Sequence, residues 1–359
     1  MARNGGNTIF AGAVRGAGKK TGASRGGLFR LRTGAEEWEA MAGGLPKDGD
    51  VHTITQHPED PRTLFVGTHD GPYISTDGGE NWETPDFPDK DVAIWAITIH
   101  PDNPDIIYAG ASPVALYRSE NGGRSWRRLP QVISPAHCER DGFDTRVICI
   151  TINPTKADEI YVGLEVGGVL HSIDGGESWT DVSAPLMELA QQPHLQNNVG
   201  GRHCGPCEGM LDTHAIAISH AASSAALLGV RMGIFRTDDG GASWRDMEIG
   251  RFSPLTYCRD LIVSPHDPEI FFTALSEAAV SAEGSLYRSS DGARSWTRID
   301  HSVAAKSTIV GLAAHPTVPD SLYCVTRTGQ VIGTMDNGAS WREYPLPNGV
   351  DDVYAVACY

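Results

Sequence analysis

The octapeptide SIDGGESW, Ser172 to Trp179, decides the fold because it recurs. STDGGENW ends at Trp82, SENGGRSW at Trp126, TDDGGASW at Trp244, SSDGARSW at Trp296 and TMDNGASW at Trp341. Each reads as a tight turn. The Asp side chain can bond nearby backbone N–H groups, the glycines permit positive φ, and the tryptophan packs against the sheet. Six copies of one turn mean six copies of one supersecondary unit.

Working outward, an apolar strand ending in a His-Pro or similar corner precedes each turn: VHTITQHPEDP (51–61), IWAITIHPDNP (94–104), VICITINPTKA (147–157), HAIAISHAASS (214–224), RDLIVSPHDPE (259–269) and VGLAAHPTVPD (310–320). A second strand follows, such as TLFVGT or IIYAGA. A third runs into the turn and a short fourth leaves it. Alternating β-branched and aromatic residues bounded by Gly, Pro and Asp corners are strands. Repeated four-stranded units predict an all-β fold, a β-propeller. NTIFAGA (7–13) and GLFRLRTGAEEWEAM (27–41) form a blade without a first strand, and VYAVACY (353–359) is a first strand without followers. Together they predict seven blades over 7–359, with the ring closed by pairing the C-terminal strand to the N-terminal ones. Residues 1–6 read as a disordered tail.

The motif S/T-x-D-G-G-x-S/T-W resembles the Asp-box, or BNR, repeat of sialidases, xyloglucanases, sortilin-type receptors and photosystem II assembly factors. The resemblance spans nearly the whole chain and implies the propeller. Those families do different chemistry on one frame, so it does not choose a function. The chain also departs from them. Sialidases of this class have six blades and an Arg-Ile-Pro motif, where this chain has seven and FRLRTG at 29–34. Xyloglucanases pair two seven-bladed domains around a cleft, and one is present here.

Composition narrows the partners. The formal net charge of −16 argues against nucleic acid or an anionic membrane as the main partner. No long apolar run and no signal-like N-terminus occur, so the sequence reads as soluble and cytoplasmic. Seven scattered cysteines suit reduced thiols. The partner expected is a small-molecule substrate.

The tryptophans of successive turns lie 44, 44, 53, 65, 52 and 45 residues apart, counting from Trp38. The excess is insertion at 131–145, 183–213 and 249–258, and blade one adds a basic loop at 13–27. All four fall on the face opposite the turns, and long loops in compact folds carry function. On that face, the residue five before each corner sits at the mouth of the first strand: His52, Trp95, Ile148, His214, Arg259, Val310 and Tyr354. The residue just past the second strand adds Val14, His69, Ser112, Glu165, Arg231, Ser276 and Arg327. Asp70, Asp144 and Arg146 flank them. In contrast, His57, His100 and His315 recur at the corners and read as structural.

These residues suggest an enzyme acting on a small anionic molecule at the mouth of the channel, a hydrolase or lyase. His52, His69, His214, Glu165 and Asp144 are the acid–base candidates. Arg146, Arg231, Arg259 and Arg327 would hold the anion, with Trp95, Tyr257, Tyr354 and His203 lining the site. His52, His69 and His214 could instead ligate zinc, iron or copper. A second metal or redox candidate is Cys204 and Cys207 in a C-x-x-C, with His137 and Cys138 across the loops. The 183–213 loop would form a lid. Two alternatives stand beside this reading: a non-catalytic protein- or peptide-binding scaffold, and a glycoside hydrolase using a carboxylate pair such as Glu165 and Asp144.

Overall fold

The computed structural model describes residues 8–15, 25–130, 144–196 and 206–359. Seven antiparallel sheets succeed one another around a ring. Their inner strands are Val51–Gln56, Ala93–Ile99, Val147–Ile152, Thr213–Ile218, Tyr257–Val263, Ile309–Ala314 and Val353–Cys358. Each contacts the next, and the last contacts the first. Val353–Cys358 pairs with Ile9–Ala13, placing Ile9 opposite Cys358 and Ala13 opposite Val353. The termini therefore close blade one as the sequence predicts. Six sheets have four strands. In blade two the fourth strand shrinks to a single bridge between Ile74 and Glu83.

The turns are scaffold. Ser75 Oγ accepts from Gly79 N at 2.9 Å and donates to Asp77 Oδ1 at 2.8 Å, while Asn81 N donates to Asp77 at 3.0 Å. The same set recurs around Asp174, Asp239 and Asp336. Trp82, Trp126, Trp244 and Trp296 are buried, whereas Trp179 is half-buried. At the corners, His57 Nδ1 accepts from Glu59 N and Asp60 N, and His100 and His315 repeat the arrangement. An imidazole accepting two turn N–H bonds is a local cap, as the sequence suggested.

Adjacent blades share their cores. Phe10, Leu28 and Met41 of blade one pack with Val51, Leu64, Val66, Tyr73 and Trp82 of blade two. The 183–213 segment, expected to form a lid, is described at 183–196 and 206–213. It contains short helices at Ala184–Leu189, Pro193–Gln196 and Pro206–Leu211. Leu186, Ala190, Leu195, Met210 and Leu211 are buried in the core of blades four and five, so this part is docked structure.

Candidate functional site

Each of the seven inner strands carries a β-bulge at one height. Against the second strand of their blades, the register slips at His52, Trp95, Ile148, His214, Arg259, Val310 and Tyr354. A bulge leaves one residue out of the ladder and re-aims its side chain. All seven line one cavity of about 390 Å³ at the centre of the ring. The sequence placed these residues at a common height. The bulge is the device that turns them to the axis.

One rung further out, the residue two before the bulge faces the residue just past the second strand. Asp50 O accepts from His69 N at 3.1 Å, Arg146 O from Glu165 N at 3.0 Å and Thr308 O from Arg327 N at 2.9 Å. In blade five the same rung opposes Asp212 and Arg231, with Arg231 Nε 2.6 Å from Asp212 Oδ2. Asp50 and Asp212 are absent from the sequence-based candidates. Their signal was available: the position two before each bulge residue.

This rung takes up most of the arginines. Arg146 donates through Nε to Glu165 Oε2 and lies over the Trp95 ring, 3.7 Å from its centroid. Arg231 also reaches Glu208 at 2.9 Å. Arg327 donates to Ala279 O at 3.1 Å and lies 3.8 Å from Asp352. Arg259 differs. Its side chain is 11% exposed, it faces the cavity, and its nearest carboxylate is Glu165 at 3.8 Å. Among the described residues it donates no hydrogen bond to a neighbour. Burial opposes its charge, but Tyr257, Glu165, Tyr354 and Asp212 outweigh that and raise it above its ordinary value.

The three histidines do not meet at one point. His214 faces Cys258 O through Nδ1 at 2.7 Å, and Tyr257 Oη at 3.1 Å and Asp212 Oδ2 at 3.2 Å through Nε2. Burial would raise Asp212, but His214 and Arg231 hold its carboxyl well below the usual range. Both ring nitrogens of His214 are thus engaged, which removes it from the expected triad of ligands. His52 is buried and stays neutral: burial, then Arg146 and His69, lower it to about 3. Its ring lies edge-on to Trp95 at 3.7 Å and 6.4 Å from His69. Neither of its nitrogens has a partner among the described residues. Asp50, His52 and His69 bring three ligand atoms within 4.8 Å of one another.

Other candidates fall elsewhere. Tyr257 is buried against His214, so it offers no stacking face to a sugar. Trp95 has Arg146 and His52 against its ring, and Tyr354 stands 6.1 Å away. Asp144 is exposed while Glu165 is buried in its ion pair. Glu165 accepts from Arg146 and lies 3.8 Å from Arg259. His137, Cys138, His203 and Cys204 lie outside the described residues, as does the side chain of Cys207. Asp260 was missed. It is the one carboxyl among the described residues lining the cavity. Burial pushes it up to about 6, although Leu312 N and Leu261 N donate to it at 2.7 and 2.8 Å. Cys149, Cys258, Cys324 and Cys358 are free thiols, and burial raises all four.

The repeated turns and the ring define the class: the chain is an Asp-box β-propeller. The BNR/Asp-box repeat family matches at residues 73–84. A xyloglucanase of Paenibacillus sp. is 24% identical over 314 residues, covering 76% of this chain and 29% of that protein. The solved GH74 xyloglucanase of Xanthomonas campestris superposes with a TM-score of 0.63 at 17% identity, over 97% of this chain and 55% of that one. YCF48 from Cyanidioschyzon merolae gives 0.56 at 15% identity, over 88% and 90% of the two chains. The chain spans less than half the length of the curated relatives it matches. No described helix is long and apolar enough to cross a membrane.

Proposed function

We propose that the channel mouth binds a small organic anion and that the chain acts on it as a hydrolase or lyase. Arg259 carries this reading. A charged guanidinium that faces a cavity and donates to no described neighbour is expensive to keep, unless a ligand takes its hydrogen bonds. Arg146, Arg231 and Arg327 donate hydrogen bonds to Glu165, Asp212 and Ala279 O, whereas Arg259 only approaches Glu165 at 3.8 Å, so Arg259 is the anchor and they are its frame. The xyloglucanase relatives put carbohydrates first among candidate substrates, and an acidic sugar satisfies both observations. Asp260, partly protonated near neutrality, is the acid nearest to hand on the cavity wall.

Calorimetric titration with uronic acids and with their neutral parent sugars tests this. The acid should bind and the neutral sugar should not. Arg259→Gln should weaken the acid about 10- to 100-fold, the range expected for losing a charge-assisted hydrogen bond. Equal binding of neutral and acidic sugars, or a variant that binds the acid as well as the parent, would overturn the assignment.

A further inference from the structure

We propose that Asp50, His52 and His69 form a three-ligand site for a divalent first-row transition metal at the channel mouth, independent of the anion reading. His52 lies in the inner strand of blade two, and Asp50 and His69 sit just beyond the facing ends of its inner and second strands. Asp50 and His69 face each other across the outer rung, joined by the 3.1 Å backbone hydrogen bond. The bulge then swings His52 in beside them. Their ligand atoms already lie within 4.8 Å of one another.

Bonds near 2 Å would draw those atoms to a little over 3 Å apart. His69 is exposed and can supply that movement by side-chain rotation. The sharpest observation is His52, 9% exposed, with neither ring nitrogen satisfied among the described residues. A buried imidazole without a partner asks for one, and an ion between it, His69 and Asp50 provides it. Two imidazole nitrogens and a carboxylate suit zinc, iron or cobalt and disfavour calcium and magnesium.

The surroundings fit. Asp50 Oδ1 accepts from Arg15 N at 2.6 Å and lies 3.3 Å from Arg15 Nε, contacts that orient the carboxylate as outer partners of metal ligands do. Trp95 packs against the His52 ring and limits its rotation. Three protein ligands leave at least one position open, the pattern of sites that bind water or substrate.

Cobalt(II) titration of chelator-treated protein, followed by visible absorption, is the test. One ion per chain should bind and give d–d bands. His69→Ala removes an exposed side chain, so the fold should persist while affinity drops about 10- to 100-fold or more. Asp50→Asn should weaken binding in the same direction, and Cys204→Ser with Cys207→Ser should leave it unchanged. Three results would overturn the site: no cobalt or zinc binding up to millimolar concentration, a spectrum indifferent to His69→Ala, or a thiolate charge-transfer band that vanishes with the cysteine variant.

Discussion

Asp174 shows what one turn residue contributes. Ser178 donates through both its hydroxyl and its backbone N–H, at 2.6 and 2.9 Å, and Ser172 Oγ adds a third bond at 2.8 Å. These bonds, Ser178 foremost, lower the carboxyl from 3.8 to about 2. Asp77 is lowered to about 2 as well, and Asp239, Asp291 and Asp336 shift in the same direction. An acid whose folded pKa is depressed stabilises the fold above its unfolded value, and that stability is lost as pH falls through the folded one. Melting temperature should therefore hold near neutrality and decline between about pH 4 and pH 2. The chain carries its own control. Asn121 takes the same place in blade three, accepting from Ser125 N at 3.0 Å and donating to Ser125 Oγ at 2.9 Å without any charge. Asp174→Asn should thus keep the turn but lose part of its melting temperature at pH 7, and respond less to acid. An unchanged melting temperature at pH 7 with an unchanged acid response would show that the charge adds nothing to the turn.

Strands and bulges decide how the mouth is built. Blades approach so closely that second strands need glycine. A Cβ on Gly67 would meet Ile94 O at 2.7 Å, and one on Gly110 would meet Val147 Cγ1 at 2.3 Å. Ile94 directly precedes the bulge residue Trp95, so Gly67→Ala pushes on backbone that aims a mouth side chain. It should cost about 1–3 kcal/mol, read from denaturant unfolding. An unchanged midpoint would show that the blades can move apart freely. At this scale the sequence was legible in part. Strand alternation and the recurring turn exposed the blades, and counting back from the corners found the seven mouth residues. The pairing of arginines with carboxylates stayed hidden, because spacing along one strand does not show what stands across the rung. Arg146 with Glu165 and Asp212 with Arg231 become visible only when the register of inner and second strands is known. The helices at 184–189 and 206–211 were hidden for another reason. They are too short to show a helical period, and tertiary burial of Leu186 and Leu211 stabilises them.

For the whole molecule, closure is the decisive property. Val353–Cys358 fills the inner position of blade one, and Thr8 and Tyr359 exchange backbone hydrogen bonds at 2.7 and 3.1 Å. Tyr359 stacks on Phe10 with ring centroids 5.2 Å apart, and Val353 and Cys358 are buried beside blade seven. Removing 353–359 would leave Ile9–Ala13 as an open edge and strip the partner surface from the inner strands of blades two and seven, both of which contact the lost strand. Open, apolar edges recruit other chains. The truncated protein should aggregate, seen as loss of the monomer peak in size-exclusion chromatography with light scattering. A net charge of −16 opposes self-association only weakly at physiological salt, where exposed charges are screened beyond about 8 Å. The loss also reaches the channel, because Tyr354 is the seventh bulge residue and stands 6.1 Å from Trp95. A truncation that stayed monomeric with native circular dichroism would show that six complete blades hold the ring without the zip. Even then the mouth would lack one wall, so binding at Arg259 should weaken while the fold survives.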